Sequence, residues 1–192
     1  MAWLIAGLVL FLGSHSVQIF APALRARLIA QWGEARWKGL YALTAFAGLA
    51  LIGHGYATVH LAAPLYPLPP QWRHLAFLLI WLGFVGVVAA YWPGNHIKQA
   101  VRDPMVAGVG AWALGHLTVN ATPAALILFG SFLAWAIADF ISLRQRGPAK
   151  PAPAPTVMNT ALVLLIGTAL AAVFALWLHL RLIGVSPLSG AM

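Results

Sequence analysis

The chain has 192 residues, of which 62% are hydrophobic and only 7% are charged, and its formal net charge is +8. A soluble domain of this length needs a charged surface that this composition cannot supply, so a soluble globular protein is excluded. The basic residues are dispersed along the chain and form no single stripe or tail, which excludes a nucleic-acid partner. The lack of cysteine excludes disulfides and thiol catalysis.

Six windows of the sequence are apolar enough to cross a membrane as helices, for which roughly 20 residues are needed. We therefore predict an all-α fold, a polytopic transmembrane helix bundle of about six spans. No basic residue precedes the first window, and it is longer than the core of an ordinary signal peptide, so we interpret it as a retained helix. The windows are residues 2–23, 39–61, 75–91, 105–119, 122–143 and 157–180.

The connections between these windows differ in charge, and the difference predicts an orientation. Most of the 11 basic residues fall in the first, third and fifth connections, whereas the opposite side holds only Arg73 and Arg181. By the positive-inside rule, the basic connections face the cytoplasm and both termini lie outside the cytoplasm. The basic residues concerned are Arg25, Arg27, Arg36, Lys38, Lys98, Arg102, Arg144, Arg146 and Lys150.

A segment rich in proline and alanine, residues 147–156, divides the chain. Alternating proline excludes a helix and predicts an extended, exposed linker on the cytoplasmic side. Residues 1–146 would then form the functional transmembrane body, and residues 157–192 an additional helix with a short tail. Because this helix has no acid, base or amide between residues 162 and 178, we interpret it as an anchor beside the body.

His15 and His116 lie alone within otherwise apolar spans. An imidazole inside a membrane needs a partner, so such positions indicate function. At ~1.5 Å per residue from the predicted cytoplasmic helix ends, His15 lies ~12 Å deep and His116 ~17 Å deep, which places the two at similar levels. His54 is expected too near the outer side to join them.

The neighbours of the two histidines are mostly apolar. Phe11 shares the face of His15, while Trp112 and Asn120 share the face of His116. Two imidazoles from antiparallel helices in an apolar slot match bis-histidine haem b, bound without a covalent link because cysteine is absent. A zinc or di-iron site would need further ligands at the same depth. Alternatively, each histidine hydrogen-bonds the backbone of a neighbouring helix or a serine and serves only to hold the helices of the bundle together.

Few other side chains could carry chemistry. Asp139 lies near the cytoplasmic end of its span and close to Arg144 and Arg146, which predicts an interfacial ion pair. Arg102 is among the cytoplasmic cations nearest the histidines and could meet haem propionates, although it also serves as a positive-inside anchor. No serine nucleophile motif or phosphate-binding loop is present, so a cofactor is favoured over side-chain catalysis.

Four segments carry motifs that are specific in combination. They include the His15-Ser16 pair and the Trp112-x-x-x-His116 spacing. Together they resemble the NnrU family of integral membrane proteins, and the resemblance covers essentially the chain up to Arg146. The segments are residues 7–16, 33–41, 102–117 and 128–135.

The resemblance implies a multi-pass protein of a bacterial inner membrane, associated with the production of active nitrite and nitric oxide reductases in denitrification. The NnrU family is related to 15-cis-zeta-carotene isomerase, a haem b enzyme with two axial histidines, and by this resemblance the iron ligands fall on His15 and His116. Two positions depart from the pattern. Asp103 stands where the family commonly has the histidine of Arg-His-Pro, and Ala113 stands where the isomerase has a cysteine.

We therefore expect a haem b-binding membrane protein that supports maturation or assembly of denitrification enzymes. One alternative is a haem-dependent cis–trans isomerase acting on a carotenoid or other isoprenoid polyene, and another is a structural or transport bundle without haem. Whether the protein is an enzyme does not follow from the sequence. The expected iron ligands are His15 and His116, and the residues expected around the haem are Phe11, Trp112, Asn120 and Arg102.

Overall fold

A computed structural model describes residues 1–147 and 153–188, and the regular structure of these residues is entirely helical, as predicted. Part of the predicted linker (148–152) and the end of the predicted tail (189–192) lie outside the described residues. The helices are α1 (Ala2–Phe20), α2 (Pro22–Trp32), α3 (Glu34–Ala57), α4 (Trp72–Tyr91), α5 (His96–Val101), α6 (Pro104–Leu117), α7 (Pro123–Gln145), α8 (Val157–Val173) and α9 (His179–Ile183), with a π-helical segment, Phe174–Leu178, joining α8 to α9.

Five helical stretches of the described chain are long and apolar enough to cross a membrane, so the chain is a membrane protein. The fourth predicted span, residues 105–119, corresponds to α6, which has only 14 residues. At 1.5 Å per residue α6 measures ~21 Å, less than the ~30 Å of a hydrocarbon core. By length the structure therefore supports five of the predicted spans. They are Ala2–Phe20, Glu34–Ala57, Trp72–Tyr91, Pro123–Gln145 and Val157–Ile183.

Although short, α6 runs between the two ends of the bundle. At one end lies the 58–71 connection with its four prolines, and we call this the proline end. There the backbone N–H of Leu65 donates to the carbonyl of Ala121, shortly after α6, at 2.9 Å. At the opposite end, which we call the basic end, the guanidinium of Arg102 donates to the carbonyl of Gly147 at 2.8 Å.

The first and last helices both reach the proline end. Leu4, in the first turn of α1, packs directly on Gly55 in the last turn of α3. Arg73, at the start of α4, donates to the carbonyl of Pro187 at 3.4 Å. Both ends of the described chain therefore lie at one end of the bundle.

Helix α2 differs from the prediction, which had a basic loop here. Pro22 occupies the first turn, where its missing N–H costs nothing, and Gly33, with a φ of 80°, ends the helix. No residue of α2 is buried, and Leu24 is 50% exposed. An amphipathic surface helix that also carries Arg25 is suited to the membrane–water interface.

Close helix contacts depend on glycine. A Cβ atom on Gly48 of α3 would lie 2.7 Å from the backbone nitrogen of Phe11 in α1. Between α4 and α6, a Cβ atom on Gly108 would lie 2.9 Å from the carbonyl oxygen of Gly83. Small residues at such positions let membrane helices approach until their backbones touch, which gains van der Waals contact where no hydrophobic force operates.

Hydrogen bonds at the basic end connect helix α8 to the rest of the bundle. The backbone N–H of Thr156 donates to the carbonyl of Gly94 at 3.0 Å, and the Asn159 amide donates to the same carbonyl at 3.1 Å. Farther along, the Trp81 indole donates to the Thr168 hydroxyl at 2.9 Å. The last helix, interpreted from sequence as an anchor, thus packs against α4 over several turns.

Candidate functional site: two histidines on an aromatic stack

His15 lies in the last third of α1 with its ring surrounded by aromatic side chains. Its Nδ1 atom hydrogen-bonds the carbonyl of Phe11, one turn earlier, at 2.7 Å. The Phe11 ring stacks on the imidazole at a centroid distance of 4.3 Å. Tyr41 of α3 and Trp135 of α7 approach at 5.1 Å and 5.9 Å. Helix α1 thus provides the hydrogen-bond partner of His15, and aromatic side chains of α3 and α7 help to enclose its ring.

His116 has a closely similar environment near the end of α6. Its Nδ1 atom hydrogen-bonds the carbonyl of Trp112, one turn earlier, at 2.9 Å. Phe129 of α7 stacks on the imidazole at 4.4 Å, and the Trp112 ring lies 5.0 Å away. The Asn120 amide donates to the carbonyl of His116 at 2.9 Å and closes the helix end.

In both imidazoles Nε2 is the nitrogen that is available to bind a ligand. A carbonyl can only accept a hydrogen bond, so Nδ1 carries a proton in each imidazole. No hydrogen bond to either Nε2 atom is formed within the part of the chain that the structure describes. A histidine oriented through Nδ1–H and open at Nε2 has the form that metal ligands take in proteins.

The two imidazoles do not face each other directly, because α7 lies between their helices. Phe132 of α7 contacts the Phe11 ring at 5.7 Å and the Trp112 ring at 5.5 Å. His15 touches Trp135 and His116 touches Phe129, positions that lie ~9 Å apart along α7. The similar depth expected from sequence is therefore not observed, because α1 ends at Phe20, five residues after His15, whereas His116 lies twelve residues from Pro104 at the basic end of α6.

We refer to the rings of Phe11, Phe129, Phe132, Trp112 and Trp135 as the aromatic stack. The sequence pointed to Phe11 and Trp112 but not to the three α7 rings. The sequence did contain a sign of them, because the three rings recur every third residue and so share one face of α7. Apolar residues in an apolar span offer no contrast, however, and the face they line is decided by packing.

The remaining predicted site residues lie elsewhere. Arg102 is at the basic end, at the opposite end of α6 from His116. The expected ion pair of Asp139 is confirmed, with Arg146 at 3.0 Å. His54 is exposed and contacts the Trp3 ring at 6.3 Å. Residues 1–147 and 153–188 contain no cluster of three or more His, Asp or Glu side chains suited to a metal ion.

A large cleft opens beside His15 at the basic end. Its volume is about 800 Å³, within the range of small-molecule sites. The carbonyl oxygen of the Gln18 side chain and the indole nitrogen of Trp135 are buried next to it without a hydrogen-bond partner among the described residues. The cleft is lined by Ser14, His15, Val17, Gln18, Arg25, Glu34, Trp37, Lys38, Tyr41 and Arg146.

The donor set fits a haem. Two imidazoles, each with an open Nε2, suit axial coordination of an iron whose macrocycle supplies the remaining ligands. Flat aromatic side chains provide the apolar walls that a porphyrin needs. Phe132 occupies space between the two histidine-bearing helices, so one haem held by both histidines requires this ring to turn aside and the ~9 Å offset of the two imidazoles along α7 to close.

Comparison with known proteins supports one assignment. The family model described as NnrU protein matches residues 3–187. The match extends beyond the linker and includes the last helix. No curated protein and no solved structure matches the chain.

Proposed function

This chain belongs to the NnrU family, and we propose that it binds haem b through His15 and His116 in a bacterial inner membrane. We further propose that it uses this haem to support the maturation or assembly of nitrite and nitric oxide reductases. The observation that carries the proposal is the pair of imidazoles whose Nδ1 atoms are fixed by backbone carbonyls and whose Nε2 atoms are open. The aromatic stack connects the pair.

Each part of the site has a defined task in this proposal. The carbonyls of Phe11 and Trp112 orient the imidazoles and keep the proton on Nδ1. The aromatic stack provides apolar surface beside the two imidazoles. Haem bound here would supply an iron centre for electron transfer or for transfer of the cofactor itself to a client enzyme.

The absorption spectrum of the protein, purified in detergent after haem supplementation, tests the cofactor. We expect a Soret band in the unmodified protein and its loss or clear shift in both His15→Ala and His116→Ala. His54→Ala is the matched control, because that ring is exposed and should leave the spectrum unchanged. An absent band in the unmodified protein would favour a structural or transport bundle, and a band unchanged in both variants would refute the site.

A deletion strain tests the role. We expect nitrite and nitric oxide reductase activities to fall on deletion and to return with the unmodified gene but not with the His116→Ala gene. Immunodetection of the membrane protein controls for its level. Normal denitrification in the deletion strain would contradict the maturation role.

One observation favours the second candidate, a haem-dependent polyene isomerase. An entirely apolar groove of about 270 Å³ runs between α6 and α7, and Gly110 and Phe140 are among its lining residues. It begins less than one turn from Trp112 and could accept part of an isoprenoid chain from the bilayer. Accumulation of a cis-carotenoid in a deletion strain that still denitrifies would select this candidate.

A further inference from the structure

The cleft beside His15 has a charge distribution that the proposed haem ligation does not explain. Three of its lining residues are cations, and two of these already have partners. Lys38 pairs with Glu34 at 2.8 Å, and Arg146 pairs with Asp139 at 3.0 Å. The remaining cation, Arg25, is the excess charge of the cleft.

Arg25 is oriented towards the cleft without a direct partner. It forms no hydrogen bond and no ion pair with any residue in the ranges 1–147 and 153–188, although it lies near enough to Glu34 to attract it. Its neighbour on α2, Arg27, is more exposed and does not line the cleft. A guanidinium in this position presents several donors with no acceptor beside them.

Unsatisfied polar atoms occur deeper in the same region. The Gln18 side-chain oxygen and the Trp135 indole nitrogen are both buried and lack a hydrogen-bond partner within the described residues. Burying such atoms without a partner costs about 1–3 kcal/mol each, so native proteins normally satisfy them with water or a ligand. Of these two residues Gln18 lines the cleft itself, and Trp135 contacts the lining residue His15.

The surroundings define the rest of the ligand. Trp37 and Tyr41 line the cleft with aromatic surface, and the cleft lies where the interfacial helix α2 meets the ends of α1 and α3. A volume of about 800 Å³ is much larger than an inorganic anion needs. The site therefore matches a molecule with an anionic group on an apolar body.

We propose that the cleft beside His15 binds an amphiphile bearing a carboxylate or phosphate group and that Arg25 is the residue that anchors this group. The shared chemistry admits two sources, the headgroup of an anionic phospholipid or the carboxylates of a porphyrin. Binding at Arg25 does not require that an iron be coordinated by either histidine.

Native mass spectrometry of the full chain in detergent tests this site. The probes are phosphatidylglycerol, phosphatidylcholine with the same acyl chains, and metal-free protoporphyrin, which contains no iron for a histidine to bind. We expect an anionic probe to bind about tenfold more tightly than phosphatidylcholine and Arg25→Gln to remove that preference. Arg25→Lys should restore part of it, and Arg27→Gln, the matched control, should retain it.

The outcomes separate the sources and the two proposals. Arg25-dependent binding of phosphatidylglycerol identifies a phospholipid, and Arg25-dependent binding of protoporphyrin alone identifies a porphyrin. Equal binding of all probes, or a preference that Arg25→Gln leaves intact, overturns the assignment. Because no probe contains iron, the binding of these probes at Arg25 can be interpreted even if neither histidine coordinates haem.

Discussion

Each candidate histidine is oriented by a carbonyl of its own helix. The carbonyl four residues earlier accepts a hydrogen bond from Nδ1–H, and the helical spacing makes this bond available to any histidine with the right rotamer. His15 and His116 could be identified from sequence, because a polar side chain in an apolar span stands out. Their partners on α7 could not, because Phe129, Phe132 and Trp135 differ little in polarity from the residues around them.

Phe132 provides a test at the scale of one residue. Its ring bridges Phe11 and Trp112, so haem held by both histidines must displace it at the cost of two aromatic contacts, roughly 0.5–1.5 kcal/mol each. We expect Phe132→Leu to bind haem about fivefold to 150-fold more tightly in a spectroscopic titration. Phe46→Leu, a change at an exposed position on α3, serves as control. Weaker binding by Phe132→Leu would instead identify the ring as a wall of the pocket.

At the scale of elements, glycines set the distances between helices. Gly53 and Gly55 flank His54, and a glycine at either position would permit close approach of a neighbouring helix. In the structure Gly55 packs on the backbone of Leu4, whereas a Cβ atom on Gly53 would meet none of the described atoms within 4 Å. Which of two neighbouring glycines faces a partner depends on the rotation of the helix, and a uniformly apolar span gives no amphipathic pattern from which to read that rotation.

A pair of alanine substitutions on α3 tests this packing. In Gly48→Ala the new methyl group would lie 2.7 Å from the Phe11 backbone nitrogen, so α1 must move, and we expect a destabilisation of about 1–3 kcal/mol. Gly53→Ala should be neutral or stabilise the helix by up to about 1 kcal/mol. Thermal unfolding midpoints in one detergent compare the two. A Gly48→Ala protein as stable as Gly53→Ala would show that α1 and α3 are farther apart than described.

For the whole molecule, composition and loop charge carry most of what sequence can predict. The all-α class and the membrane setting follow from apolar windows, and both are confirmed. The fourth window, residues 105–119, nearly coincides with α6, whereas the existence of α2 did not follow. Helix ends are fixed by local features such as Gly33 and by contacts such as that of Leu65 with Ala121, which a hydropathy window averages away.

The predicted orientation can be tested by labelling, because the chain has no cysteine of its own. Ala30 lies on exposed α2, and Ala63 lies in the connection at the proline end, so the two are separated by the length of α3. With the basic end in the cytoplasm, Ala63→Cys should react with an impermeant maleimide on intact spheroplasts, and Ala30→Cys only after permeabilisation. The reverse labelling pattern would show that the basic end faces away from the cytoplasm.

The central claim is that two helices jointly hold one iron. Electron paramagnetic resonance of the ferric, haem-loaded protein tests it most directly, because the spin state reports the number of strong axial ligands. We predict a low-spin signal for the unmodified protein and a high-spin signal when either His15 or His116 alone is replaced by alanine. A low-spin signal that persists in either single variant would contradict coordination by this pair.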